Sequence, residues 1–146
     1  MKLQKNDIQY NLLKEELLLT QGQVDKYDQL SRATKTWAVT LWVAASGWAF
    51  QTGQKEFALM AAIVILIFWF FDGVNKAFRM NYKSRRNEVQ HALQLVFRGE
   101  ALPKDFQSPN LPTHEERRVI YSMLRLHMSL PYIVLIIISL LLYLKL

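Results

Sequence analysis

The sequence predicts an all-α integral membrane protein: a two-span hairpin with long cytoplasmic helices and a third, C-terminal span. Three observations predict it. Apolar and charged residues are segregated: 51% of the 146 residues are hydrophobic and 21% charged, yet residues 57–71 and 129–144 hold no charge at all. No stretch alternates apolar and polar residues over a strand's length, whereas helical spacing recurs. Finally, sixteen of the eighteen lysines and arginines fall in residues 1–35 and 73–128. A soluble protein with buried helices fits poorly, because IVLIIISLLLYL at 133–144 is hydrophobic on every face.

Residues 1–35 contain no proline and one glycine, Gly22. A heptad reading puts Leu3, Tyr10, Leu17, Val24 and Ser31 at one position, and Asn6, Leu13, Thr20, Tyr27 and Thr34 at a second. This imperfect seam predicts an amphipathic helix. It either self-associates or leans on the helix after the second span. Six basic and five acidic residues nearly cancel, so attraction to a membrane surface is weak here.

Residues 36–72 are expected to form the hairpin. A spanning helix needs ~20 mostly apolar residues. Residues 36–54 carry no charge and include Trp37, Trp42 and Trp48. Residues 57–71 are apolar but short, about 22 Å at ~1.5 Å per residue, so Trp69, Phe70 and Phe71 are expected at the interface. The connection QTGQKE is short and polar. On the first span, Thr36, Thr40, Ala44 and Gly47 share a face. Small residues let helices approach closely in lipid, so this face is a candidate for assembly, for packing within the hairpin, or for a narrow polar path. Asp72 is the one acid at a span boundary. It can pair with Lys76 four residues on, or with Lys35 across the hairpin. In an oligomer it could instead ring a pore mouth.

Residues 73–128 are expected in the cytoplasm. A helix should continue to Arg98, with Val89, Ala92, Leu93 and Val96 as its buried face and Gly99 as its C-terminal stop. Residues 100–112 hold three prolines and read as a loop. Thr113 and Glu116 form a capping box for a last helix, whose Ile120, Met123, Leu124 and His127 recur at helical spacing. Pro131 then kinks this helix or marks where the third span, 129–146, begins. Lysine and arginine placement puts the N-terminus and the 73–128 segment inside, and the C-terminus outside.

Little here suggests chemistry. The absence of cysteine removes disulfides, thiolate metal sites and thiol nucleophiles. His91, His114 and His127 lack metal-ligand spacing, and no nucleophile elbow, phosphate-binding loop or dinucleotide fingerprint is present. No catalytic residue, cofactor or metal is expected, and an enzyme is not. The basic set Lys76, Arg79, Lys83 and Arg86, with Arg85 beside it, is the sharper feature. Spaced three, four and three, the four share a helix face. Each such charge near an anionic bilayer contributes about 1 kcal/mol. The set serves as a positive-inside anchor, or as a face for phosphate-bearing ligands or an acidic partner. Aromatics among these charges are sparse, which argues against nucleic acid.

The layout resembles a known family. A cytoplasmic helix leads into a short-looped two-span hairpin. A long basic-polar helix follows, opening with Phe70-Phe71-Asp72 and continuing through KAFRMNYKSRRNEV at 76–89. Over about residues 25–98 this resembles the SLATT superfamily, small membrane modules of bacterial conflict systems. The resemblance implies a homo-oligomeric effector that permeabilises the bacterial inner membrane. It also implies activation by a nucleotide second messenger or a protein. The third span departs from the simplest two-span pattern. Alternatives are a non-enzymatic adaptor or immunity-type protein, and a small channel or transport subunit. The last would expect polar groups inside the spans, where only hydroxyls such as Thr40, Ser46 and Ser139 occur.

Overall fold

A computed structural model describes residues 2–110 and 116–146. Among them every regular element is a helix: α1 (Lys2–Thr52), α2 (Lys55–Phe97), α3 (Glu116–Met123) and α4 (Leu126–Lys145). The predicted cytoplasmic helix and first span are thus one helix, since no proline interrupts α1. Gly53, at φ +69, stops it and donates its N–H to the carbonyl of Ala49 at 2.9 Å. A residue with a Cβ resists that left-handed conformation. α2 ends as expected at Gly99, φ +74. The Gly99 N–H bonds to Val96 O at 3.0 Å and the Glu100 N–H to Leu95 O at 2.9 Å, the paired bonds of a Schellman stop.

The chain forms two compact units. The first comprises Met1–Tyr27 and Phe78–His114. Leu13, Val89 and Ala92 are its buried centre, with Leu17, Leu93, Val96, Leu102 and Phe106 packed around them. The heptad seam of α1 therefore faces α2: Leu13, Thr20 and Val24 are buried and Leu17 half-buried. Tyr27 stacks on Phe78 (5.3 Å) and Tyr82 (5.8 Å), which occupies the aromatics interleaved with the basic residues of α2. Burial, and then the neighbouring Tyr82, push the Tyr27 phenol above its usual range.

The second unit comprises Asp28–Ala77 and Glu115–Leu146. Its α1–α2 hairpin packs through small residues, with Ala38, Ala49, Ala58, Ala61 and Ala62 buried. α4 lies against both helices through Tyr132, which clusters with Ala38 and Ile65. Trp42 Nε1 donates to Ser139 Oγ at 2.8 Å, and Lys55 sits 5.5 Å from the centre of the Tyr143 ring. Two helices among the described residues contain a stretch long and apolar enough to cross a bilayer: Lys55–Phe97 and, within α4, Met128–Lys145. α1 is not one of them, because threonine, serine, glutamine and tryptophan dilute the apolar content of residues 36–54.

The last helix differs from expectation. Instead of a bend or a boundary at Pro131, α3 ends at Met123 and α4 begins at Leu126, with Arg125 extended between them (φ −64, ψ 123). Pro131 lies inside α4. The break occurs where Trp69 Nε1 takes the Met123 carbonyl, at 3.2 Å. Gly73 makes room for this: a Cβ there would stand 2.2 Å from Met123 Cγ. The buried side of α3 carries Val119 and Ser122, while Ile120 and, beyond the helix, Leu124 are exposed. The capping box rests on Thr113, which with His114 lies outside the described residues, as does the His127 side chain.

Candidate functional site: a carboxylate held by three helices

Asp72 is the boundary acid singled out above, and it is completely buried. Among the described residues, Ser31, Tyr132 and Lys35 reach it. Ser31 Oγ, from α1, donates to Oδ1. The Tyr132 hydroxyl, from α4, donates to Oδ2 at 3.0 Å. Lys35 Nζ, also from α1, stands 3.6 Å from Oδ2, with its side chain 45% exposed. The pairing across the hairpin is therefore formed. Lys35 keeps its ammonium near water while its stem covers apolar surface. Tyr132 is fixed in turn by stacking on Trp69, with ring centres 6.4 Å apart.

Burying a carboxylate costs several kcal/mol unless donors and an opposite charge replace its water. Two hydroxyls and one ammonium do so here, and hydrogen bonds to an ionised acceptor are the stronger kind. The cost is met only while α1, α2 and α4 stay together. The cluster can do little acid–base chemistry, because it is enclosed by its own partners. It is suited to holding helices in one arrangement. Asn75 extends it one turn along α2, its amide donating to Thr34 Oγ1 at 3.3 Å. The heptad reading gives Ser31 a seam position, and the apolar pattern does not single out Tyr132. The one signal for Tyr132 is that it and Tyr143 are the two phenols in the apolar segment 129–146.

The candidate assembly face lies in the same unit. Thr36, Thr40, Ala44 and Gly47 are all exposed. Their hydroxyls bond back to their own helix, Thr36 Oγ1 to Arg32 O (3.1 Å) and Thr40 Oγ1 to Thr36 O (2.9 Å). The hairpin uses the opposite side of α1, through Ala38, Trp42 and Ala49.

The basic set divides. Lys76, in the second unit, is half-buried. In the first unit Lys83 is exposed, and Arg79 is half-buried. Arg86 is also half-buried and donates to Gln21 Oε1 (3.0 Å) and Asn87 Oδ1 (3.1 Å). Arg85 turns inward. Its guanidinium meets the buried Glu16 at 2.8 Å, Glu88 at 3.2 Å and the Gln107 carbonyl at 2.5 Å, and lies 5.0 Å from the Phe106 ring centre. Glu16 also accepts from Ser108 Oγ and from the Asn110 N–H. Arg85 thus pins the loop after α2 onto α1. Glu16 went unmarked in the sequence, since a carboxylate on a helix looks solvated until its partner 69 residues away is placed beside it.

Among the described residues no group of three or more histidines or carboxylates could hold a metal ion. Comparison with protein-family models, curated proteins and solved structures finds no match to this chain.

Proposed function

We propose that the protein is a membrane effector. It oligomerises in the bacterial inner membrane and permeabilises it when a ligand or partner engages the cytoplasmic side, as part of anti-phage or conflict defence. In this reading residues 36–54 cross the bilayer beside the apolar part of α2 and α4, giving three spans. The N-terminus and residues 73–128 face the cytoplasm, and the C-terminus lies outside, as the lysine and arginine distribution favours. The observation that carries the reading is the exposed, charge-free face of Thr36, Thr40, Ala44 and Gly47. Large apolar side chains flank it, with Trp37, Val43, Trp48 and Phe50 all exposed. An apolar surface of this extent is unusual on a soluble monomer, and small residues at its centre permit close helix contact in lipid. The likeness in layout to SLATT modules supplies the defence context.

Lys76, Arg79, Lys83 and Arg86 are the proposed cytoplasmic recognition residues, and membrane lipid phosphates or a nucleotide second messenger are the proposed ligands. Arg85 belongs to this set only through its neighbours, because Glu16 occupies it. The test is purification in detergent with mass measurement, followed by dye release from liposomes with and without candidate nucleotides. An oligomer that releases dye is expected. A monomer that leaves liposomes sealed and cells polarised under every candidate activator would overturn the reading.

A further inference from the structure

α3 and the residues after it turn large apolar side chains outward. The inward side of α3 carries the fully buried Ser122 beside Val119, and its outward side carries Ile120 (65% exposed) and Tyr121 (62%). Leu124 (70%) and Leu126 (75%) continue that exposed side into the break before α4. The depth of this patch follows from its clasp. Trp69 takes the Met123 carbonyl and Gly73 admits the Met123 side chain. Trp69 and Gly73 flank the point where the charge-free run of α2 gives way to Asp72. The patch is also continuous with α4, whose apolar stretch starts at Met128. Charge agrees with the same level. Residues 116–128 carry Arg117, Arg118 and Arg125 against one acid, Glu116, and the Arg125 guanidinium lies 5.1 Å from the Tyr121 ring centre. Tyrosine and arginine together suit a level where apolar chains meet phosphates.

We infer that α3 and the α3–α4 break dock on the phospholipid bilayer at the headgroup–acyl boundary, with Ile120, Tyr121, Leu124 and Leu126 in the lipid and Arg125 on phosphate. The segment is then a membrane-surface element, not part of the free cytoplasmic region. This rests on the proposed membrane insertion, and the experiment separates the two.

The chain has no cysteine of its own, so a single introduced thiol can carry an environment-sensitive dye. Full-length Leu124→Cys and Ile120→Cys are labelled in phosphatidylcholine–phosphatidylglycerol vesicles. Ile137→Cys on α4 and Ser84→Cys, exposed on α2, serve as references. Emission from the Leu124 and Ile120 positions is expected to shift to the blue. A shallow lipid quencher should act about twofold more strongly than a deep one, as burial by ~5–10 Å at the boundary requires. The Ile137 position should show the reverse preference, and Ser84 neither effect. Water-like emission at Leu124 and Ile120 with a quenched Ile137 overturns the inference and leaves insertion standing. Quenching at Leu124 as deep as at Ile137 also overturns it. Water-like emission at all four positions overturns both readings.

Discussion

Tyr132→Phe removes one oxygen from the buried cluster and leaves the ring that stacks on Trp69. Its hydroxyl donates to Asp72 Oδ2 at 3.0 Å, and Asp72 is wholly shielded from water. An ordinary hydrogen bond between helices in lipid contributes only ~0.6 kcal/mol. A bond to a charged acceptor contributes about 1.5–3 kcal/mol, because its loss leaves a buried charge short of a donor. The second value applies, since Asp72 is a fully buried carboxylate whose Oδ1 is taken by Ser31 and whose Lys35 partner is half-exposed. At about 2–4 °C per kcal/mol for a chain near this size, the midpoint of unfolding in detergent should fall by ~3–12 °C. The decisive assay is the cycle with Asp72→Ala. Once the carboxylate is gone, Tyr132→Phe should cost under ~0.5 kcal/mol, which leaves a coupling of more than ~1 kcal/mol. A loss no larger than the ordinary value, or an equal loss in both backgrounds, would refute the account of Asp72 as the point that holds α4 to the hairpin.

Four further outcomes are expected. Arg85→Ala should destabilise by ~3–5 kcal/mol in denaturant titration, because it strands the buried Glu16, whereas Glu16→Leu with Arg85→Met should cost far less. Gly73→Ala should cost about 1–3 kcal/mol through the clash with Met123 and raise protease cleavage around α3, with Met123→Ala restoring part of both. Gly99→Ala should cost ~1–2 kcal/mol at its left-handed stop. Gly22→Ala, in the open interior of α1 where a Cβ would meet no atom within 4 Å, should stabilise by about 0.5–1 kcal/mol in the same melting series.

Much of the helical layout was legible in the sequence, because long segments with a strong period and glycine stops constrain themselves locally. Val89, Ala92, Leu93 and Val96 pack together as their spacing predicts, and Gly53 and Gly99 end helices where polar turns suggest. Lys35 reaching Asp72 was legible because a short hairpin loop places both at one end. The eight residues of α3 were not legible. With apolar residues on several sides of so short a segment, helical spacing of Ile120, Met123 and Leu124 does not say which side is buried, and the clasp by Trp69 and Gly73 settles on Val119 and Ser122. The inward turn of Arg85 was hidden for a different reason. A row of five basic residues reads as one solvated face, and only a partner from a distant turn of α1 separates one member from the rest.

The arrangement around Asp72 has a consequence for biogenesis. Its α1 donors precede it in the chain, but Tyr132 comes 60 residues later. At synthesis rates of roughly 5–20 residues per second, the carboxylate spends about 3–12 seconds with Ser31 and Lys35 and without its third partner. The newborn hairpin must survive that interval with an acid it cannot fully satisfy. Arrival of α4 supplies the missing hydroxyl, so docking of the final helix also works as a checkpoint on the two that precede it.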